Sequence, residues 1–206
     1  VLGQPQSHGG ARPFLINSSG TAAFSALVNG GARGMFAGSV GSVPVKVAVV
    51  GDAVSTGQAI TSITATPAGI NELGQVLFTA NTASGAGLYL STPGQVPQKI
   101  ASVGDVAPGG GTFASFGTPH LNNAGQVAFM ALTTGGPGGG VYLGSAGGAP
   151  VAIALNGAAS PAGSTFLLTV LRADVQVNDQ GDVAFRGDLV ANPWSAIFVK
   201  RGASPL

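Results

Sequence analysis

Cysteine is missing from this 206-residue chain, so disulfides and thiolate metal sites are excluded and cysteine usage says nothing of the redox compartment. Charge is nearly missing too. Lys and Arg together number 8 and Asp and Glu 7, so 7% of residues are charged, where soluble domains carry roughly 25%. With a net charge of +1 and its basic residues scattered, the chain has no cationic stripe to collect phosphates, and nucleic-acid binding is set aside. No apolar run approaches the length that crosses a bilayer, so no membrane span is expected. Histidine occurs only at His8 and His120, in different repeat phases, and neither has an acid within four residues, which leaves a triad without support. No G-x-S-x-G elbow, phosphate-binding glycine loop or His-rich metal spacing occurs. The expectation is a protein that is not an enzyme and needs no cofactor and no metal.

What is present is glycine (35) and proline (13), together approaching a quarter of the chain, set among 45% apolar residues. A polar chain of that Gly and Pro content would be disordered, but this one can bury a core, and a loop-rich folded protein fits it. A surface of Gly, Ser, Thr, Ala, Asn and Gln has little self-repulsion, which favours association over dispersal.

A fixed internal period decides the architecture. Four segments share the pattern apolar-Asn-x-x-Gly-polar-apolar-apolar-Phe: Ile16 to Phe24, Ile70 to Phe78, Leu121 to Phe129 and Val177 to Phe185. The spacings between Asn17, Asn71, Asn122 and Asn178 are 54, 51 and 56 residues. Asparagine can bond its own backbone two residues on, and a glycine three positions later (Gly20, Gly74, Gly125, Gly181) supplies a positive φ, so the motif reads as a turn feeding a strand. In the second copy Val76, Phe78 and Ala80 then share one face and Leu77 and Thr79 the other, and a strand apolar on both faces expects neighbours on both sides.

A second strand in each copy centres on an aromatic, Phe36, Tyr89, Tyr142 or Phe198, which with Phe24, Phe78, Phe129 and Phe185 makes the predicted repeat core. A third follows Pro44, Pro97 and Pro150, where proline at a strand's first residue costs no ladder bond, and ends near Gly51, Gly104 and Gly157. A fourth, weaker strand carries Ile60 and Ile63, Phe113 and Phe116, or Phe166 and Leu168. Helical periodicity of useful length is lacking. The fold class expected is all-β and β-propeller-like: four blade repeats, each of four short antiparallel strands, in one repeat domain over 1–206. The copies run about 17–70, 71–121, 122–177 and 178–206, the last cut short after its second strand. Residues 1–16 stand where a preceding copy's last strand belongs, so one blade is split between the termini. That arrangement can be met by closure within one chain or by exchange of a terminal segment with the next chain.

The repeats resemble a family of secreted bacterial tandem-repeat proteins whose copies carry Asn-x-x-Gly-x-Val-Ala-Phe, a Gly-aromatic strand and a Val-Gly-Asp turn, here Asn122 to Phe129, Gly140 to Tyr142 and Val103-Gly104-Asp105. The resemblance covers essentially the whole chain. It implies an exported or surface-anchored protein with propeller-like domains and no shared catalytic activity. The chain opens on Val1, as in a processed or excised form, and has no recognisable sorting tail.

The remaining polar clusters read as structure. Asn178-Asp179-Gln180-Gly181-Asp182 offers oxygens to a calcium ion, yet the other copies lack acids at one or both equivalents, and an ordinary turn explains the segment. Asp52 and Asp105 follow Gly at the end of the third strand and read as turn-stabilising; Ala158 replaces them in the third copy. Trp194 with Asn192 could stack on a sugar ring, but a residue found in one copy only reads as cover for a blade edge. Asn17-Ser18-Ser19 is a glycosylation sequon inside the turn motif. The expected function is a non-catalytic extracellular or cell-surface structural protein, a self-assembling subunit of a filament or surface layer whose partners are copies of itself. The alternatives are a monomeric four-bladed propeller that binds a glycan, surface polymer or protein ligand, and a fragment of a longer propeller.

Overall fold

A computed structural model describes residues 14–28, 31–168, 174–190 and 192–202, without the side chains of 192–194. The described residues form strands, turns and no helix, as four antiparallel sheets. The first sheet runs β1 (Phe14–Ile16), β2 (Thr21–Leu27), β3 (Arg33–Ser39) and β4 (Val45–Val49). In the second, β5 (Ser62–Ile63) and β6 (Gly69–Ile70) pair with one side of β7 (Val76–Thr82), and β8 (Gly85–Ser91) and β9 (Gln98–Ser102) follow on the other. The third repeats this with β10 (Thr112–Phe116), β11 (His120–Leu121), β12 (Gln126–Thr134), β13 (Gly139–Ser145) and β14 (Val151–Leu155). In the fourth, β15 (Phe166–Leu167) and β16 (Val175–Val177) pair with one side of β17 (Val183–Leu189), whose other side pairs with β18 (Asn192–Lys200).

Two features differ from the sequence expectation. The fourth, weaker strand of a copy does not join that copy's sheet: β5, β10 and β15 pair with the strand that follows the next Asn turn. Each sheet therefore straddles the boundary between copies. The apolar residue before each Asn also lies in a short strand, β1, β6, β11 or β16, on the same sheet edge. Local pattern cannot reveal either, because all of these strands but β10 are two or three residues long and carry no usable periodicity, and the partners of all of them lie beyond the turn. The segment 1–13, with His8 and the Gly9-Gly10-Ala11 run, lies outside the described residues, as do the side chains of Asn192 and Trp194.

Within each sheet the two repeat aromatics are direct cross-strand partners: Phe24 with Phe36, Phe78 with Tyr89, Phe129 with Tyr142 and Phe185 with Phe198. Their rings stack alike, with centroids 6.1, 6.0, 5.7 and 5.6 Å apart and planes at 28°, 29°, 25° and 26°. Such a pair adds about 0.5–1.5 kcal/mol beyond the apolar area it buries. In three sheets a β-bulge falls immediately before the second aromatic, between Met35 and Phe36, Leu88 and Tyr89, and Val141 and Tyr142. There the ring folds back over the glycine two residues earlier. A Cβ on Gly87 would stand 2.8 Å from the Tyr89 ring and 2.6 Å from Ser102 Oγ, so the Gly-x-aromatic spacing is a packing requirement.

The sheets pack face to face with a consistent polarity. The aromatic pair of one sheet lies against the aliphatic face of the sheet before it: Phe78 and Tyr89 on Ala23, Met35 and Ala37; Phe129 and Tyr142 on Leu77 and Leu88; Phe185 and Phe198 on Met130 and Val141. Val76, Phe78 and Ala80 of β7 thus face the first sheet and Leu77 faces the third, as a strand apolar on both sides requires. Each fully buried Phe, Leu or Val contributes about 1.5–3 kcal/mol, which makes these three interfaces the main source of stability.

Candidate functional site

The four Asn turns are one structure repeated. In each, the Asn N–H donates to the carbonyl four residues on and the Gly N–H donates back to the Asn carbonyl, for example Asn71 to Gln75 at 3.1 Å and Gly74 to Asn71 at 3.0 Å. The Asn Oδ1 accepts the N–H of the fifth residue, Thr21, Gln75, Gln126 or Asp182, at 2.8 to 2.9 Å. The glycines sit at φ 81°, 72°, 76° and 79°, a region costly for a residue with a Cβ.

The turns of consecutive sheets are joined by two hydrogen-bond ladders that run in one direction. In the first, Asn17 Nδ2 donates to the Asn71 carbonyl (2.9 Å), Asn71 Nδ2 to the Asn122 carbonyl (3.2 Å) and Asn122 Nδ2 to the Asn178 carbonyl (2.7 Å). In the second, the residue after each Asn donates its N–H to the side chain of its counterpart one copy later: Ser18 to Glu72 (2.9 Å), Glu72 to Asn123 (2.9 Å) and Asn123 to Asp179 (2.8 Å). The Ser18 backbone and then its side chain hold the Glu72 carboxyl below the usual carboxylate range, with Ser19 N–H adding to the effect. The backbone and then the side-chain amide of Asn123 do the same for Asp179. The ladders stop at the fourth turn. Among the described residues Asn178 Nδ2 donates to Asp182 alone and the Asp179 N–H has no acceptor. Asn17, Asn71 and Asn122 are buried, whereas Asn178 is exposed.

Sequence reasoning placed the turn residues but treated the position after each Asn as variable. The signal was there: Ser18, Glu72, Asn123 and Asp179 all bear side-chain oxygen. The acids of the calcium-like segment are spent in these contacts, Asp179 on Asn123 and Asp182 on Asn178 and the Gly202 N–H. Among the described residues no three His, Cys, Asp or Glu side chains gather as a cation site.

Asp52 and Asp105 occupy identical turns. Each accepts a backbone N–H, from Val49 or Ser102, on one oxygen and a lysine, Lys46 or Lys99, on the other at 2.9 Å. Beside each pair lies a shallow groove closed by the hairpin of the following sheet, Gly94 to Pro97 in one case and Gly147 to Pro150 in the other. His120 is half-buried on β11, and its Nδ1 accepts the Val177 N–H of β16 at 3.4 Å, bridging the third and fourth sheets; burial lowers its pKa. The sequon residue Asn17 is buried, and one hydrogen of its Nδ2 is donated to the Asn71 carbonyl. The Tyr142 hydroxyl is buried without a hydrogen-bond partner among the described residues, and burial pushes its pKa up.

No curated protein and no solved structure matches the chain. Over residues 86–204, more than half its length, it matches DUF7453, a family of unknown function, and the chain belongs to that family.

Proposed function

We propose that this chain is a non-catalytic extracellular structural protein, the self-assembling subunit of a filament or surface layer. Its four sheets act as the blades of a β-propeller-like array in which the incomplete blade is completed by a terminal segment of the next chain. One observation carries the reading. In the first three sheets the second aromatic strand is flanked by a further strand, β4, β9 or β14, whereas among the described residues β18, nine residues long, pairs with β17 alone. A long strand with one free edge is a template for strand addition, and its main-chain donors and acceptors are satisfied when another chain supplies the missing strand. The low charge of the surface removes the repulsion that would oppose such contacts.

Negative-stain electron microscopy of the undenatured protein tests the reading: ordered fibres or sheets support it, and discrete single-chain particles overturn it. Removal of residues 1–13 is expected to abolish assembly while leaving the sheets folded. A second reading has its own observation. The Lys46–Asp52 and Lys99–Asp105 grooves are equivalent, and a repeated groove suits a propeller that binds a repeating glycan or a protein loop. Binding on a glycan array that is lost in a Lys46→Ala, Lys99→Ala double variant would favour it.

A further inference from the structure

Every interface between consecutive sheets is built from two unlike halves, an aliphatic face on the earlier sheet and an aromatic face on the later one, and both ladders cross it from earlier to later. The two end sheets each display one half of that interface with nothing on it among the described residues. The first sheet leaves its aromatic face open: Phe24 and Phe36 are half-buried where their counterparts are buried, and Phe14 and Ile16 are 58% and 64% exposed. The fourth sheet leaves its aliphatic face open. Ile197 and Val199 are 69% and 53% exposed at the positions where Met35 and Leu88, and Ala37 and Leu90, are buried. The unused ladder groups lie on the matching sides, donors Asn178 Nδ2 and Asp179 N–H at the fourth turn, acceptors Asn17 carbonyl and Ser18 Oγ at the first.

We infer that a second copy of this chain docks head to tail, the aliphatic face of its fourth sheet covering the aromatic face of the first, with Asn178 and Asp179 continuing both ladders onto Asn17 and Ser18. The contact is heterologous and leaves a free end on each side, so it propagates. It uses the packing that already holds the four sheets together. Arg186, which stands where the third sheet has Met130, meets the Phe24 and Phe36 rings as Met130 meets Phe185 and Phe198, and a guanidinium over an aromatic face is favourable. The inference rests on the self-assembly reading, but it places the joint on sheet faces and not on the edge of β18.

Sedimentation velocity on the full chain tests it, with one variant at each end. Ile197→Lys with Val199→Lys blocks the aliphatic face, and Phe14→Lys with Ile16→Lys blocks the aromatic face; all four side chains are exposed, and unchanged circular dichroism and urea midpoints check that both variants fold. Each variant alone is expected to lose the assembled species, and an equimolar mixture is expected to form heterodimers and nothing larger, because one good face of each kind remains. Ser18→Asn, which installs the acceptor that Asn123 provides in the third turn, is expected to lower the concentration at which assembly begins. Assembly that survives both face variants but vanishes on removal of residues 1–13 would overturn face docking and leave strand exchange standing. A wild-type chain that sediments as a single species at all concentrations would overturn both.

Discussion

Replacing Tyr142 with phenylalanine deletes one oxygen atom from the packing between the second and third sheets, and the expected result is a gain in stability. The ring is held by a stacked contact with Phe129 at 5.7 Å and an edge contact with Phe113 at 5.0 Å and 89°, and both survive the change. The hydroxyl, by contrast, is buried and has no hydrogen-bond partner among the described residues. A buried polar group without a partner costs about 1–3 kcal/mol relative to its hydrated state. The void left by one oxygen is small, so Tyr142→Phe is expected to stabilise by about 1 kcal/mol, the lower end of that range. The first and fourth sheets already have Phe36 and Phe198 at this position. Urea unfolding at pH 7 measures the effect as a raised midpoint with an unchanged m-value. The pH dependence supplies a second readout. Burial raises the Tyr142 pKa, so the folded state keeps its proton after the unfolded phenol has begun to ionise near its ordinary value of about 10. Wild-type stability is therefore intact below about pH 10 and falls above it, by up to about 1.4 kcal/mol per pH unit, and the variant lacks this loss. A midpoint at pH 7 equal to or below that of the wild type would refute the reasoning, because it would mean that the hydroxyl has a partner.

Gly87→Ala is expected to cost about 1–3 kcal/mol or more in urea unfolding, since its Cβ would overlap the Tyr89 ring and Ser102 Oγ. At the turns, Gly125→Ala should be worse than Gly74→Ala under the same measurement: both have positive φ, but only at Gly125 does the added Cβ meet a side chain, Gln75 Oε1 at 3.0 Å. Asn122→Ala should cost about 2–4 kcal/mol, because it strips a donor from the Asn178 carbonyl and an acceptor from the Gln126 N–H, and Asn178→Ala should cost clearly less at its exposed position. Acid should loosen the joints between sheets in two stages. The His120 pKa is lowered by burial, so its contribution is complete above about pH 6.5 and is lost as pH falls below that value. The Glu72 and Asp179 pKa values are also lowered, so their contribution is complete above the ordinary carboxylate range and disappears as pH falls through the depressed values. Midpoints followed from pH 8 to 3 should show both declines, and Glu72→Gln should shrink the second.

The strands that carry β2, β7, β12 and β17 were readable because the turns that launch them are local. Within its turn Asn71 Oδ1 accepts from Leu73 and Gln75, and Gly74 needs nothing but its own φ, so a nine-residue window contains every atom that shapes the turn. The stacked aromatic pairs were readable for a related reason, since a hairpin sets Phe78 opposite Tyr89 once both strands are placed. The strand immediately before each Asn was not, since Gly69–Ile70 is too short to show alternation, and although a weak strand at Ile63 was legible its partner was not, because it belongs to a sheet whose other members lie downstream.

By itself, then, the sequence determined an all-β chain with four equivalent Asn-Gly turns and four aromatic hairpins, because those features depend on contacts within one copy. Only the tertiary structure decided which strands share a sheet and which face of each sheet meets its neighbour. It alone also joined Asn17 to Asn71, Asn71 to Asn122 and Asn122 to Asn178 in a directed ladder. The physical reason is distance along the chain: those bonds span 54, 51 and 56 residues, and they form only because stacked sheets bring equivalent turns side by side.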